Sequence, residues 1–313
     1  MSGAPGADPV TVARERLGTL AQTDVLLGPM TTYRVGGPAA LFVEPASDDD
    51  LVAVADAVRA SGLAVLVVGN GSNMLVADHG FRGIAVRLGE AYTRIEIDGT
   101  LVRAGGAALL PVVARRTATS GLRGFEWAVG VPGSIGGAVR MNAGGHGSDM
   151  AAVLRRVRLF DLANGDHGVV PVDHLALAYR SSSIVPTQVV LWAELALRVG
   201  DRAEAEAEIN EIVRWRRANQ PGGANAGSVF TNPADDSAGR LIDVSGCKGW
   251  RVGSAEVSRK HANFIQADEG GSADDVWALM RRVQNRVAGV TGVRLRPETR
   301  LVGFDEAAME PSE

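Results

Sequence analysis

Residues 129–147 read VGVPGSIGGAVRMNAGGHG, with seven glycines in nineteen positions. Because glycine loses more backbone freedom on folding than any other residue, such a stretch is either a flexible linker or a place where backbone approaches a ligand closely. Val131, Ile135, Val139 and Met141 are interspersed among the glycines, and bulky apolar side chains are untypical of a linker. We therefore interpret the stretch as an ordered loop that brings backbone amides within reach of a phosphate or a flat ring.

A second glycine loop lies upstream, in VVGNGSNMLV (67–76). It does not match the dinucleotide fingerprint GxGxxG, because Met74 replaces the third glycine and the residues that follow are strand-like rather than helical. The loop is either a tight turn or a nest of free N–H groups that holds a phosphate. Two such loops in adjacent subdomains would hold an extended dinucleotide from both sides.

The composition is that of an ordinary globular protein, with 313 residues, 46% hydrophobic and 22% charged. A net charge of −4 argues against a nucleic-acid partner, and the apolar runs are far shorter than the roughly 20 residues of a membrane span. The single cysteine, Cys247, and a start without a signal-peptide pattern predict a cytoplasmic protein. The five histidines form no ligand-spaced cluster, so no metal site is expected, and a monomer is the favoured state.

The order of predicted elements indicates an α+β protein of several domains. A helix is expected over 47–62 between two apolar strands, and a later helix is expected to open at Ser272 and to end at Gly289. The predicted segments are a disordered tail (1–20), a first subdomain (21–88), a second subdomain (89–200), a third domain (201–305) and a C-terminal tail (306–313).

Seven motifs occur in an order and at a spacing that resemble one known family. They are TTYRVGGPA, VGNGSNMLV, WAVGVPGSIGGAVRMNAGG, AYRSSS, AGSVFTNP, VSRKHANFI and LRPETRLVG. Together they resemble the UDP-N-acetylenolpyruvoylglucosamine reductases (UDP-N-acetylmuramate dehydrogenases) over residues 20–303. The resemblance implies a fold of the vanillyl-alcohol-oxidase type, with two FAD-binding subdomains (21–88 and 89–200) and an α+β substrate-binding domain (201–305). It also implies an NADPH-dependent flavoenzyme of peptidoglycan precursor synthesis.

The resemblance places FAD, held tightly and without a covalent bond, on the two glycine loops and on the TTYRVGGPA motif. NADPH is the implied hydride donor. The residues implied to border FAD are Tyr33, Arg34, Gly36, Gly69, Asn70, Gly71, Ser72, Asn73, Pro132, Gly133, Ser134, Gly136, Gly137, Asn142, Ala143, Gly144 and Arg300. The first loop reads GNGSN where GGGSN is more common, and little effect is expected because asparagine tolerates a positive φ.

Three residues match the catalytic positions of the family. Ser228 matches the general acid that protonates the α-carbon of the substrate, although a lone Gly-Ser is otherwise an ordinary turn. Arg180 matches the arginine that holds the substrate carboxylate, which a bidentate guanidinium suits better than an ammonium group. Glu298 matches the glutamate that helps to polarise the intermediate. Alternation along 293–301 places Glu298 on one face with three arginines, a pattern that is otherwise typical of a solvated charged face.

A further set of residues matches positions that line the nucleotide-sugar site of the family. These are Tyr179, Asn232, Arg240, Lys260, His261 and Asn263, with Lys248 and Arg251 as additional candidates for the diphosphate. Asn219 stands where many members have lysine, so one nucleotide or diphosphate contact does not carry over as it stands. The segment from Asn232 to Lys260 lacks a long insert with a substrate-covering tyrosine, which resembles the compact branch of the family.

Two other functions fit parts of the pattern. One is an FAD oxidase of the same superfamily that acts on another alcohol or sugar. The other is a non-catalytic sensor of a flavin or a nucleotide sugar. The joint presence of Arg180, Ser228 and Glu298 argues against both, since neither function needs all three side chains.

Overall fold

The computed structural model of the protein describes residues 7–305. The chain divides into two compact units. Unit 1 contains the chain up to Val25 together with Ala39–Asn70 and Arg82–Val213. Unit 2 contains Leu26–Pro38, Gly71–Phe81 and the chain from Arg214 on, so it is assembled from three separated segments. No helix in the described range is both long and apolar enough to span a membrane.

The elements follow one another as a mixture of helices and short strands. The helices are α1 (Pro9–Leu17), α2 (Asp48–Ser61), α3 (Leu110–Thr119), α4 (Ile135–Arg140), α5 (Arg202–Asn219), α6 (Ala238–Val244) and α7 (Ala273–Thr291). The strands are β1 (Ala21–Leu26), β2 (Pro38–Val43), β3 (Val65–Val67), β4 (Met74–Val76), β5 (Phe81–Val86), β6 (Ile95–Asp98), β7 (Leu101–Gly105), β8 (Leu122–Arg123), β9 (Gly144–Gly145), β10 (Ser148–Asp149), β11 (Leu154–Asp161), β12 (His167–Pro171), β13 (Gln188–Ala196), β14 (Arg198–Val199), β15 (Arg251–Val252), β16 (Ala255–Val257), β17 (Ile265–Ala267) and β18 (Arg300–Val302).

The first layer of unit 1 is a four-stranded sheet in the order β1-β2-β5-β3. Its apolar side chains, such as Leu41 and Ile84, pack in one cluster with those of α1 and α2. The expected helix over 47–62 is confirmed as α2. The Ser47 side chain accepts a hydrogen bond from the Asp50 amide, the Asp50 carboxylate accepts one from the Ser47 amide, and Gly62 ends the helix in the left-handed conformation.

The expected disordered tail (1–20) is wrong for its second half, because Pro9–Leu17 forms helix α1. Asp8 caps this helix by accepting from the Thr11 amide, and Pro9 occupies its first position, where no amide hydrogen is needed. Ala13 and Leu17 are buried in the cluster beneath α2. The segment is rich in small and polar residues, so its sequence did not indicate that these two side chains would be buried. Residues 1–6 and the expected tail 306–313 lie outside the described residues.

The second layer of unit 1 is a five-stranded sheet in the order β12-β11-β13-β7-β6, with every pair antiparallel. The central strand β13 is buried on both faces. Val189 and Leu191 pack in the cluster of α1 and α2, whereas Val190 and Leu195 pack in a second cluster with α3 and α4. This sheet therefore contributes to both apolar clusters of unit 1. The predicted boundary between the first and second subdomains, near residue 88, stays a prediction.

Unit 2 contains the three-stranded antiparallel sheet β15-β16-β17, helices α6 and α7, and a parallel pair formed by β4 and β18. Its core includes Tyr33 and Leu75 together with Phe230 and many side chains of α7. The sequence prediction grouped Leu26–Pro38 and Gly71–Phe81 with the first subdomain. The structure groups them with unit 2, because β4 pairs with the last strand of the chain instead of with β3 or β5.

Helix α7 opens at Ser272 as expected, but it continues past Gly289 to Thr291 and ends at Gly292, which has φ +75°. The Ser272 side chain accepts from the Asp275 amide, while the Asp275 carboxylate accepts from the amide and hydroxyl of Ser254. The reciprocal half of the capping box is thus replaced by a tertiary contact.

Candidate active site

The glycine-rich stretch is ordered, as its apolar side chains predicted. A short 3-10 turn over Glu126–Gly130 leads into helix α4, and the stretch ends in the β9–β10 hairpin. The amides of Ile135 and Gly136 donate to the Ala108 and Gly106 carbonyls, at 2.9 and 2.8 Å, which attaches the start of α4 to the loop after β7. The linker alternative is therefore excluded for this stretch.

The two glycine loops are in contact within unit 1. The Asn70 side-chain amide donates to the Pro132 carbonyl oxygen. A Cβ atom at Gly69 would lie 2.8 Å from the Ser134 hydroxyl oxygen, so the chain at Gly69 runs close to the opening of α4. The expectation that both loops serve one ligand receives a structural basis from this contact.

Several of the predicted FAD-bordering glycines have an internal reason to be glycine. A Cβ at Gly36 would lie 2.5 Å from the Val76 carbonyl oxygen, and one at Gly71 would lie 2.3 Å from the Met30 carbonyl oxygen. A Cβ at Gly144 would lie 2.6 Å from the Ser148 carbonyl oxygen. These glycines allow one backbone segment to pack on another, and they would be needed without any ligand.

Gly137 has no such internal reason. It lies inside α4 on the exposed side, and a Cβ there would make only an ordinary contact, 3.7 Å from the Ser134 hydroxyl oxygen. A helix-interior glycine costs about 1 kcal/mol relative to alanine. The missing side chain thus leaves room for a group from outside the chain, which fits a flat cofactor lying against the helix.

The TTYRVGGPA motif contains two buried polar atoms without a hydrogen-bond partner among the described residues. Among the described residues nothing accepts or donates a hydrogen bond at the Thr32 Oγ1 or the Tyr33 hydroxyl, and both atoms are buried. Burial raises the pKa of the Tyr33 hydroxyl, which therefore stays protonated. Arg34 beside them is exposed and has φ +58°. Unpaired buried hydroxyls fit a bound polar ligand, although the Tyr33 ring itself belongs to the core of unit 2.

Arg180 lies on a tight turn of unit 1 with φ +54°. Its Nη2 donates to the Gly144 carbonyl oxygen at 3.0 Å, and its guanidinium carbon lies 5.1 Å from the centre of the Tyr179 ring. Tyr179 is 62% exposed, as a residue that meets a ligand would be. Asn142, predicted to border FAD, is buried and donates to the Ala178 carbonyl oxygen of the same turn.

Ser228 and Glu298 lie on neighbouring segments of unit 2. The Glu298 amide donates to the Val229 carbonyl oxygen at 2.8 Å, directly after Ser228. The Glu298 carbonyl oxygen accepts from the Asn73 side-chain amide at 2.9 Å, and the Arg300 amide donates to the Asn73 carbonyl oxygen at 3.0 Å. Four predicted site residues are thereby brought together. In the described part of the chain the Ser228 hydroxyl makes no hydrogen bond, so its proton is available.

The predicted alternation along 293–301 is present in the burial of the side chains. Leu295, Thr299 and Leu301 are buried, whereas Glu298 and Arg300 are partly exposed. Only Arg300–Val302 is a regular strand, and the segment before it runs beside residues 229–231 through a bridge between Phe230 and Pro297. Pro297 has no amide hydrogen to continue a ladder, which accounts for the short strand.

Several residues that are predicted to contact the substrate form side-chain hydrogen bonds to the backbone of unit 2. The Asn263 side chain is buried and exchanges two hydrogen bonds with the Phe230 backbone, at 3.0 and 2.8 Å. Asn232 accepts from the Ala238 amide at the start of α6, and Lys260 donates to the Arg217 carbonyl oxygen near the end of α5. These positions organise the backbone, so a direct contact of Asn263 with a ligand is not supported by its burial.

The cationic candidates for the diphosphate take part in surface ion pairs. Arg240 pairs with Asp236, and this hydrogen bond lowers the pKa of Asp236 to about 2. Lys248 pairs with Asp243 at 2.7 Å, and Arg251 pairs with Glu256 at 2.8 Å. Each of these pairs is solvated and weak, so a diphosphate can compete for the cation.

His261 is half-buried against the start of α6. Its Cε1 lies 3.4 Å from where a Cβ of Gly239 would be, and its Nδ1 accepts from the Asn263 amide at 3.3 Å. Burial, with a smaller contribution from the nearby Lys248 charge, lowers the pKa of His261. The ring is therefore neutral at physiological pH, and a structural role fits it better than the binding of an anion.

Ser182 is a site residue that the sequence prediction missed. Its hydroxyl donates to the Arg140 carbonyl oxygen at 2.7 Å, so it attaches the Arg180 turn to the end of α4. The signal was present in the run of three serines after Arg180, but a serine run on its own does not reveal its partner.

Two family models match the chain. The FAD binding domain matches residues 39–169, and the C-terminal domain of UDP-N-acetylenolpyruvoylglucosamine reductase matches residues 219–302. The residues that the first model covers include α4 and the glycine-rich stretch, and those of the second include Ser228 and Glu298.

Curated relatives and a solved structure match nearly the whole chain. UDP-N-acetylenolpyruvoylglucosamine reductase of Heliobacterium modesticaldum is 42% identical over 87% of this chain and 88% of its own length. The enzyme of Rubrobacter xylanophilus is 39% identical over 92% of this chain and 97% of its own length. The crystal structure of UDP-N-acetylenolpyruvylglucosamine reductase from Thermus caldophilus is 35% identical with a TM-score of 0.80, and the match covers 90% of this chain and 98% of that one.

The fold is α+β with an FAD-binding part of the vanillyl-alcohol-oxidase type, and the residues on the glycine loops fit FAD as the cofactor. The chain belongs to the UDP-N-acetylenolpyruvoylglucosamine reductase family.

Proposed function

We propose that the protein uses NADPH to reduce UDP-N-acetylglucosamine enolpyruvate to UDP-N-acetylmuramate, a step of peptidoglycan precursor synthesis. The observation that carries this proposal is the hydrogen bond from the Glu298 amide to the Val229 carbonyl oxygen, at 2.8 Å. It places the carboxylate-bearing segment beside the turn that presents the unpartnered Ser228 hydroxyl. A proton donor and a carboxylate are thus held on two segments of unit 2 that are joined by a backbone hydrogen bond.

Bound FAD would supply hydride transfer from NADPH to the β-carbon of the enolpyruvyl group. Gly69, Gly137 and the Asn70–Pro132 contact, all in unit 1, would hold it. Hydride addition at the β-carbon leaves negative charge on the α-carbon and its carboxylate, and the protein must neutralise both.

Ser228 donates its hydroxyl proton to the α-carbon and is reprotonated from solvent. A serine hydroxyl is a weak acid, so it serves only a strongly basic carbon, such as the one that forms here. Arg180 pairs with the substrate carboxylate, and its guanidinium stabilises the charge that spreads onto those oxygens. Glu298 polarises the reacting group from the neighbouring segment. In sum, one hydride from NADPH and one proton from Ser228 add across the carbon–carbon double bond.

The proposal is tested by following the flavin spectrum without oxygen. One equivalent of NADPH is added to the purified protein, and UDP-N-acetylglucosamine enolpyruvate follows. We expect bleaching by NADPH and recovery of the oxidised spectrum with the enolpyruvyl ether. Bleaching without recovery would point to an oxidase that acts on another alcohol or sugar, and a protein that neither contains nor takes up a flavin would contradict the assignment.

Replacing Ser228 by alanine separates the two half-reactions. The S228A protein should be reduced by NADPH at the normal rate, but recovery with the enolpyruvyl ether should be slower by at least about 10²-fold, the lower end of what positioned proton donors contribute. Ser120→Ala is the matched control, because the exposed Ser120 hydroxyl donates only to the Arg116 carbonyl oxygen at the end of α3. Normal recovery in S228A would overturn the assigned proton donor.

A further inference from the structure

Both side-chain N–H donors of Asn142 are used inside unit 1. It is 4% exposed and has φ +38°. Its Nδ2 donates to the Asp149 carboxylate at 3.2 Å and to the Ala178 carbonyl oxygen at 3.1 Å, and its Oδ1 accepts from the Ala151 amide at 2.9 Å. An asparagine amide has two N–H donors, so both are occupied and neither remains for a cofactor.

The turn that carries Arg180 depends on contacts with the glycine-rich stretch. Ala178 and Ser181 exchange two backbone hydrogen bonds of 3.1 Å, which leaves Arg180 in the left-handed conformation. For a residue with a Cβ this conformation costs roughly 1–2 kcal/mol, so the turn needs support from outside. The support comes from residues 140–144: Asn142 holds the Ala178 carbonyl, Gly144 accepts from Arg180, and the Arg140 carbonyl accepts from Ser182.

We propose that Asn142 is a positioning residue for Arg180 and not a contact of FAD. Its amide fixes the Ala178 carbonyl, and thereby the turn from which the Arg180 guanidinium reaches the substrate carboxylate. The inference rests on the proposed function for the identity of that carboxylate. It reassigns a residue that the family resemblance placed among the FAD-bordering positions.

Two variants remove the contact in different ways. Asn142→Ala removes all three hydrogen bonds. Asn142→Asp keeps the size, the tolerance of a positive φ and the bond from the Ala151 amide, but it loses both donors and faces the Asp149 carboxylate. The matched control is Asn164→Ala, which removes two side-chain hydrogen bonds to Asp166 in the exposed turn between β11 and β12.

Both Asn142 variants should retain FAD and be reduced by NADPH as the wild type is. The value of kcat/KM for the enolpyruvyl ether should fall by about 10²-fold, the loss expected for a reactant displaced by roughly 1 Å. Binding of UDP-N-acetylglucosamine, which lacks the carboxylate, should be unchanged in a titration. In an Arg180→Ala background the same Asn142 substitutions should have no additional effect, because the residue acts through Arg180.

Two outcomes contradict the proposal: loss of FAD on substitution of Asn142, or an undiminished effect of Asn142 in the Arg180→Ala background. A readout independent of the reaction is the rate at which phenylglyoxal modifies Arg180, measured by mass spectrometry. The rate should rise severalfold in Asn142→Asp and stay constant in Asn164→Ala. If the wild type fails to turn over the enolpyruvyl ether, the proposed function is wrong, and the labelling rates still decide whether Asn142 positions Arg180.

Discussion

The glycines that are predicted to border FAD are glycine for two different physical reasons. At Gly36, Gly71 and Gly144 an added Cβ atom would lie 2.3–2.6 Å from a backbone oxygen, so the chain itself excludes a side chain there. Gly137 lies on the exposed side of a helix, where an added Cβ would make only an ordinary contact with the Ser134 hydroxyl oxygen. The first kind is required by folding, whereas the second kind costs helix stability and has no reason within the described chain.

Gly137→Ala should separate folding from FAD binding. Alanine favours the helix by about 1 kcal/mol, so the FAD-free protein should unfold at a higher urea concentration. The added methyl group would occupy the surface that we propose for the cofactor, so FAD affinity should fall at least severalfold, measured by flavin fluorescence titration.

Gly289→Ala is the matched control for this variant. Gly289 lies inside α7, is exposed, and has no atom within 4 Å of an added Cβ. It should give the same gain in stability with unchanged FAD affinity. If Gly137→Ala binds FAD as tightly as this control does, the cofactor does not lie on α4.

At the scale of the element, α7 is held by a cap that comes from a distant part of unit 2. The Asp78 carboxylate accepts from the Ala273 amide at 2.9 Å, from the Asp274 amide at 3.2 Å and from the Ser272 hydroxyl. Asp78 follows β4, which itself follows the loop that contains Asn73. The helix start is thereby attached to the segment that reaches Glu298 and Arg300.

Asp78→Ala should destabilise unit 2 by about 1–2 kcal/mol, because free amides at the first turn of α7 lose their acceptor and the negative charge near the positive end of the helix dipole is removed. Urea unfolding monitored by circular dichroism measures the change. Asp8→Ala, which removes the cap of the short helix α1, is the comparison and should cost less, since Asp8 is exposed and its carboxylate bonds only Thr11. Equal costs would show that the extra bonds of Asp78 contribute nothing.

Local signals in the sequence predicted elements better than their ends or partners. Ser47 and Gly62 bound α2 as expected, because capping depends on neighbours in the chain. Gly289 predicts the end of the last helix, but α7 continues to Thr291 and ends at Gly292. The apolar contacts of Val287 in the core stabilise this last turn by more than one glycine destabilises it. The pairing of β4 with β18 carries no local signal, so the grouping of Gly71–Phe81 with unit 2 could not be predicted.

The candidate site shows the same limit. The motifs predicted that Asn73, Ser228, Glu298 and Arg300 belong to one site, and their backbones do meet. The motifs did not indicate that Asn263 would be buried against Phe230. A matched position says that a residue is needed, whereas only the fold shows whether it is needed for a ligand or for the backbone.

At the scale of the whole molecule, a charge cluster lies across the five-stranded sheet and bears on stability in acid. Glu194 on β13 lies between Arg156 on β11 and Arg103 on β7, with oxygen–nitrogen distances of 2.7 and 3.2 Å. The Arg156 hydrogen bond, assisted by Arg103, lowers the pKa of Glu194, and burial opposes this effect. The folded state therefore holds the ionised carboxylate more strongly than the unfolded chain does.

This linkage gives a pH dependence with a definite sign. A lowered pKa contributes stability above the unfolded value, and the contribution is lost as the pH falls through the folded value. Glu194→Gln should cost about 1–2 kcal/mol near pH 7, given the half-exposed arginines, and the difference from wild type should shrink as the pH falls below the ordinary titration range of glutamate. Urea unfolding at a series of pH values measures this. A difference that is constant with pH would exclude the ionised pair as its cause.

The parallel pairing of β4 with β18 has a consequence for synthesis of the chain. Tyr33 and Leu75 leave the ribosome long before Leu301, yet all three belong to one core. Unit 2 therefore closes only after translation is nearly complete, and the nascent chain carries unburied apolar residues until then. For the same reason no single cut separates the units: a fragment that begins at Arg214 lacks two of the three segments of unit 2, and a chain that stops before Arg300 leaves β4 without its partner strand.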